Sequence, residues 1–413
     1  MVSFTFVKTL LVGESALLVL AQAASDLPPM GGCRDVNYTS PYAPENLNTS
    51  IWSLEKTTRR GGSEYRGLYN KTWDLSDLPS YKPTQLLNGT LRIWGSNYLK
   101  DGDLADYWEE EFKKFQPNIK IEWHLPTTAI AIPALAAEFA DLGVGRPATL
   151  MDRLTYQQAF GHDLLEVTAA TGSHQVYGWS PAFAIIVRED NPITQISMKE
   201  LDGVFGTARG GGYNGSTWMT NYPYKRGPED NIRFWGQLGL KGAWNNAPIH
   251  PCGQTTKANI QDVFQNLVLY GSNQWVEGLR TFANYAIANG TTARWSKQVQ
   301  AAARVDPYSI CVGSPEVVGP GLKELAVQGF DGGPYVNRTL DNIRERKYPL
   351  YNEIFFFFHN FKVSGEPMNP LVYEFLRFVL SREGQNQIQR EGRYTPLTAC
   401  VVNKMRNEIE PVA

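Results

Sequence analysis

The chain has 413 residues, enough for two domains with separate cores, and a net charge of −2. That balance excludes partners recognised chiefly by their negative charge, so neither nucleic acid nor an anionic membrane surface is expected. Charged residues make up 19% and aromatics 12%, a composition suited to an ordered globule and not to extended disorder.

Residues 1–24 read as a signal peptide. Lys8 gives a basic start, residues 10–20 a short apolar core, and Ala21-Gln22-Ala23 a small-residue cleavage pattern. The apolar run is too short to cross a bilayer, and no membrane span is expected elsewhere. The expected location is extracellular, with the bacterial periplasm as the alternative. Sequons at Asn37, Asn48, Asn70, Asn88, Asn214, Asn289 and Asn337 fit a secreted glycoprotein. Four cysteines in an oxidising compartment imply two disulfides, and the sequence leaves three pairings open.

Residues 25–87 carry Pro, Gly, Ser and Tyr with little periodicity. They read as an N-terminal extension packed loosely on the body, or partly as a linker. From Leu91 the pattern alternates: strand 91–94, helix 104–115 ending before Pro117, strand 119–123, helix 132–142, and a third strand at 148–151. Such alternation predicts a mostly parallel sheet with helices on both faces. Residues 175–187 read as a strand crossing to a second α/β domain. That domain is expected to contain helices at 261–269, 275–289 and 298–303. Residues 206–227 read as a long surface loop, and Gly319-Pro320-Gly321 as a turn before a helix. The chain then returns near Tyr348. Residues 354–358 are apolar on both faces, as in a strand covered on both sides, and an amphipathic helix follows from Leu371 to a stop near Gly392.

Three ordered segments carry a family resemblance. The first is Asn191-Pro192-Ile193 with Ile196-Ser197-Met198-Lys199-Glu200-Leu201. The second is Val305-Asp306-Pro307-Tyr308-Ser309-Ile310 with Pro320-Gly321-Leu322. The third is the block from Tyr348 to Tyr394-Thr395-Pro396-Leu397, with Gly384-Gln385 late in its helix. Together they resemble the phosphate-binding proteins of bacterial ABC importers. The resemblance implies an α/β, two-lobed type II periplasmic-binding-protein clamshell with two interdomain crossings. Lobe 1 is expected at 88–182 and 345–413, and lobe 2 at 183–344. It also implies that Cys252 and Cys311, on strands of the same domain, are bonded, leaving Cys33 to pair with Cys400.

Ligands in open α/β sheets gather at the carboxyl ends of strands, where helix N-termini present free N–H groups. Three turns of lobe 1 fit: Gly95-Ser96-Asn97, Thr127-Thr128-Ala129 and Met151-Asp152-Arg153. By the resemblance, Ser96, Asn97, Thr127 and Thr128 would bond a phosphate-like oxyanion. Asp152, with Arg153 beside it, would accept the proton of a protonated one and so reject sulfate. The alternatives are N-capping for Ser96, Thr127 and Thr128, and a cap or an ion pair with Arg153 for Asp152. In lobe 2 the family pattern fails: Gln254 stands where the family has an Arg, and Ala258-Asn259-Ile260 replace Ser-Gly-Thr. Gln254 and Thr255 remain as candidate ligands, and Lys257 as a replacement charge.

The five histidines are scattered without metal spacing, and no nucleophile elbow or P-loop occurs. No enzyme activity and no cofactor are expected. The leading reading is a secreted binder of a phosphate-like oxyanion. Its rival is a secreted scaffold glycoprotein with an unknown protein or surface partner, the ancestral phosphate site having been lost.

Overall fold

The structure, a computed structural model, describes residues 68–410 except 177, 287–291 and 315–316. The signal peptide, Cys33, Asn37, Asn48 and Asn289 lie outside the described residues.

Two mixed five-stranded sheets organise the chain. The first contains β1 (Gly89–Gly95), β2 (Ile119–His124), β3 (Leu142–Gly145), β4 (Leu165–Thr171) and β10 (Glu353–Phe358). Its order is β2-β1-β3-β10-β4. The second contains β5 (Ala184–Arg188), β6 (His250–Gln254), β7 (Arg280–Phe282), β8 (Ser309–Gly313) and β9 (Leu322–Glu324), in the order β7-β6-β8-β5-β9. The expected sheet was mostly parallel. In fact β1 runs parallel to β2 and β3, and β6 to β7 and β8, while β10 and β5 are antiparallel to their neighbours. The reversal follows from topology: β5 and β10 each enter their sheet from the other lobe. The chain crosses twice, and the crossing segments run side by side. Gly172 N–H donates to Asn352 O at 2.8 Å, and Phe183 N–H to Leu350 O at 2.9 Å.

The principal helices are α1 (Leu104–Lys113), α2 (Ala131–Ala136), α3 (Leu150–Phe160), α4 (Met198–Phe205), α5 (Asn259–Val268), α6 (Trp295–Val305), α7 (Pro370–Val379), α8 (Arg382–Glu391) and α9 (Ala399–Ile409). Each sheet has its own apolar core: Ile93, Trp108, Phe356 and Phe375 lie in the first, Ile185, Phe205, Phe264 and Ile310 in the second.

Several expectations fail for identifiable reasons. The helix foreseen at 132–142 stops at Ala136, and Leu142–Gly145 is the third strand, buried throughout. Its glycines conceal it: a Cβ at Gly143 would stand 2.8 Å from the Ala131 carbonyl oxygen, so the close α2–β3 packing requires glycine. Residues 148–151 are accordingly not a strand but the entry into α3. Of residues 175–187, only the last four join β5. Of the segment 275–289, the described residues 275–286 are not helical, because Arg280–Phe282 pairs with β6 as an edge strand. Residues after Gly321 form β9, not a helix, by pairing with the free edge of β5. The C-terminal helix is two helices, broken because the Ser381 hydroxyl donates to Phe378 O at 2.6 Å and accepts from Gly384 N–H at 3.3 Å. That places Gly384-Gln385 in the first turn of α8.

Residues 68–87 are not a loose extension. Leu75, Leu78 and Tyr81 join the first core, and Tyr81 donates to the buried Glu374 carboxylate at 2.6 Å. Residues 206–227 are more than a surface loop. They contain an antiparallel hairpin, Gly212–Asn214 with Thr217–Met219. Its base is fixed by Arg209 and Arg226, both bonded to buried Asp202 at 2.6 and 3.2 Å.

Cys252 and Cys311 form a disulfide between adjacent β6 and β8, with Cα atoms 4.4 Å apart. Cys400 is exposed on α9 and has no disulfide partner among the described residues; Cys33, its expected partner, lies outside them. Asn70, Asn88, Asn214 and Asn337 are all exposed. Among the described residues, no helix is long and apolar enough to cross a membrane.

Candidate functional site

The carboxyl ends of β1, β2 and β3 bring three turns of lobe 1 together. Gly95 adopts φ +145°, and a Cβ there would meet Val144 O at 1.9 Å. This close approach lets Ser96 N–H bond Val144 O at 2.8 Å and sets Ser96 beside the end of β3. Ser96 is buried. Its neighbour Tyr394 is fully buried, and burial raises the pKa of its phenol despite the nearby Ser180 and Ser96 hydroxyls. Asn97 is not held for a ligand, since its amide donates to Asp101 at 2.7 Å. Thr127 is exposed and caps a short 3₁₀ turn without a side-chain bond, while half-buried Thr128 backs onto Gly145.

The third turn differs from expectation. Strand β3 ends at Gly145, so the residue at its carboxyl end is Arg146, and Asp152 lies one turn inside α3. Thr149 caps that helix in a reciprocal box: it accepts from Asp152 N–H at 3.2 Å while its own N–H donates back to Asp152 Oδ2 at 2.9 Å. The Thr149 hydroxyl and Arg146 Nη1 reach the same Oδ2, each at 2.7 Å. Burial disfavours the charge on Asp152, but Arg146 and the Thr149 bonds outweigh it and hold the carboxyl below its usual range. Arg153 points elsewhere, to Asp163 and Glu166 at 3.0 and 2.8 Å. The cap and the ion pair are therefore both real, and the cation is Arg146, not Arg153.

Lobe 2 contributes the ends of β6 and β8. Gln254 is buried, and its Oε1 has no hydrogen-bond partner. The same holds for Gln261 Oε1 in α5 and for Ser314 Oγ just after β8. Thr255 N–H donates to Phe282 O at 2.8 Å, and its hydroxyl is within 3.5 Å of the Lys257 N–H. Lys257 itself is exposed.

The two lobes meet electrostatically through Asp262 in the first turn of α5. Burial pushes its pKa up, Arg146 opposes that shift, and Asp152 adds to it. Arg146 thus bonds the Asp152 carboxylate of its own lobe and acts electrostatically on Asp262 of the other. Its Nε is buried and has no hydrogen-bond partner. A cavity of about 1010 Å³ opens beside this point, bounded by Thr149–Met151 and Arg153 from lobe 1, by Asp262 and Gln265 from lobe 2, and by the 212–219 hairpin. The hairpin bridges the mouth: Gln157 of α3 donates to the Ser216 hydroxyl at 2.6 Å. Among the described residues, no group of three or more His, Cys, Asp or Glu side chains could hold a metal.

Sequence reasoning placed Ser96, Thr127, Thr128, Gln254 and Thr255 correctly at strand ends. It missed Arg146, Asp262 and Ser314. The signal for Arg146 was the buried small-residue run Leu142-Gly143-Val144-Gly145 before Pro147. Asp262 is positioned only by the meeting of the lobes.

Comparison of the sequence with known families agrees with this architecture. A PBP superfamily domain matches residues 83–383. The phosphate-binding protein PstS of Pseudomonas aeruginosa PAO1 is 26% identical over 339 residues, covering 80% of this chain and 90% of the relative. Among solved structures, PstS from Borrelia burgdorferi aligns with a TM-score of 0.47 at 15% identity, covering 75% of this chain and 100% of that chain. An ABC-type phosphate transport receptor from Vibrio cholerae gives 0.45 at 15% identity, over 74% and 99%. With most of its length inside the family match and two lobes joined by a double crossing, the chain belongs to the PBP superfamily and has the type II periplasmic-binding-protein fold.

Proposed function

We propose that the chain is a secreted solute-binding protein that holds a phosphate-like oxyanion in the interlobe cleft. One observation carries the reading: Arg146 Nε is a buried cationic donor without a partner, at the carboxyl end of β3 and beside the N-terminus of α3. Such a donor contributes more to an anion than a neutral one does. The relatives named as phosphate-binding proteins support the ligand class. In this reading Ser96, Thr127, Thr128, Gln254 and Thr255 supply neutral hydrogen bonds. All hydrogen bonds to Asp152 fall on Oδ2. Its Oδ1 then serves as an acceptor that favours an oxyanion still carrying a proton. The signal-like N-terminus and four exposed sequon asparagines support secretion. Binding, not turnover, is the activity.

Isothermal titration of the mature, phosphate-stripped protein with phosphate, arsenate and sulfate tests this. Phosphate and arsenate should bind and sulfate should not. Arg146→Met should weaken phosphate at least about tenfold, the loss of one charged hydrogen bond. Absence of heat with every oxyanion, on protein shown to be folded, overturns the reading.

That negative outcome would favour the second reading, a secreted scaffold glycoprotein that has lost the site. Its support is specific: Gln254 and Ala258-Asn259-Ile260 replace a cation and two hydroxyls, and Arg146 is already paired with Asp152 at 2.7 Å.

A further inference from the structure

We propose that the large chamber beside Arg146 is a saccharide site, taking a neutral, hydroxyl-rich ring. The inference stands apart from the oxyanion reading, because the groups that carry it, Glu166, Gln265 and Trp218, are not among those assigned to the anion.

Size is the first argument. At about 1010 Å³ the chamber lies at the upper end of the range for organic ligands and far exceeds a tetrahedral oxyanion. Charge is the second. Its two lining cations are both matched: Arg153 lies on Asp163 and Glu166 at 3.0 and 2.8 Å, and Arg209 on Asp202 at 2.6 Å. Of its two lining carboxylates, Glu166 is bonded by Arg153, and burial pushes Asp262 toward its neutral form. A ligand there meets little net charge, so neither an anion nor a cation is favoured.

Chemistry is the third argument. The chamber offers acceptors and donors side by side, which suits hydroxyls because each both gives and takes a hydrogen bond. Glu166 Oε2 is buried without a partner. Gln265 accepts from the Trp275 indole N–H through Oε1 at 2.9 Å, leaving its amide N–H groups as donors. Aromatic surface completes the set. Trp218 is 50% exposed on the lip, with one side of its ring packed on Gly211 and its edge relation to Tyr213 fixed at 4.9 Å. A sugar's C–H face stacks on such a surface, which is apolar and needs no charge.

Two sources supply this chemistry. Asn214 of the sequon Asn214-Gly215-Ser216 sits exposed on the chamber's lip, so a glycan attached there enters from the protein's own chain. A free saccharide enters from solution.

The test uses the full chain made without N-glycosylation, its disulfide intact. Tryptophan fluorescence is followed during titration with maltopentaose, cellopentaose and chitopentaose. Saturable binding of at least one is expected. Trp218→Ala should weaken it about tenfold or more, as loss of a stacking face does. Because Trp218 is also a reporter, the same comparison is made by calorimetry. Trp218→Ala should leave phosphate affinity unchanged, which separates this site from the oxyanion position. In glycosylated material, binding that appears only after Asn214→Gln identifies the attached glycan as occupant, and binding without that change identifies the free saccharide. No saturable binding by folded, unglycosylated protein at millimolar saccharide overturns the proposal, as does binding indifferent to Trp218→Ala.

Discussion

The two walls of the cleft solve the same problem in opposite ways. In lobe 1 the polar groups at the strand ends bond mainly to one another: Asn97 to Asp101, Asp152 to Thr149 and Arg146, Arg153 to Asp163 and Glu166. In lobe 2 the groups at the equivalent strand ends stay incomplete, with Gln254 Oε1, Gln261 Oε1 and Ser314 Oγ buried and unpartnered. A buried polar atom without a partner costs about 1–3 kcal/mol. Lobe 1 is therefore largely self-paired, with Arg146 Nε as its open cationic donor. Lobe 2 carries an unmet hydrogen-bonding demand that a ligand, or closure on one, satisfies. The scaffolds beneath differ too. Lobe 2 is cross-linked by Cys252–Cys311 directly under its strand ends. Lobe 1 relies on packing by residues 68–87 and by α7 and α8.

The largest expected effect breaks that contrast at the cross-link. Replacing Cys252 and Cys311 together by Ser opens a loop of 59 residues' separation. The chain-entropy account gives a loss of about 4 kcal/mol. Denaturant unfolding of oxidised, reduced and double-Ser protein measures it. A loss below about 1 kcal/mol would mean that lobe 2 owes its rigidity to its core alone.

A somewhat smaller effect lies in lobe 1, at the end of α8. Burial pushes Glu391 up to about 7, against the lowering influence of Arg393. An unfolded Glu loses its proton near pH 4.3. Between these values the folded chain holds the proton and the unfolded chain does not. The contribution is thus complete below about pH 4.3 and is lost as pH rises to about 7, by roughly 3–4 kcal/mol. Glu391→Gln should flatten this part of the stability–pH curve. An unchanged slope would show that Arg393 keeps the carboxylate ionised throughout.

The smallest effect sharpens the contrast most. Gln254→Met removes an unpartnered buried oxygen and should stabilise the empty protein by about 1 kcal/mol while weakening phosphate binding. Thermal unfolding and titration on the same preparation check both signs. Destabilisation would mean that Gln254 is already satisfied in the empty protein.

Some elements were legible because their signal is local. The strand at 354–358 is a run of apolar side chains, and β10 follows from it directly. The helices α1, α5 and α6 repeat their apolar residues at helical spacing. The disulfide followed from a family resemblance that placed its two strands in one domain. Other elements were hidden because glycine carries no hydrophobic signal, as in β3, or because an edge strand forms only when a neighbour offers free backbone groups, as in β7 and β9. Misplacing β3 by a few residues made Asp152 a candidate ligand and left Arg146 unnoticed.

By itself the sequence determined an alternation of strands and helices, since hydrophobic period and chain order suffice for that, and its family resemblance implied the two lobes and the double crossing. Only the tertiary structure decided which side chains face that cleft and which are already partnered. Arg146, Asp152 and Asp262 interact across two lobes, and the hairpin at 212–219 reaches α3 from the far lobe. Charge pairing of this kind depends on distance in space, falling steeply as separation and solvent screening grow, and sequence spacing does not encode it.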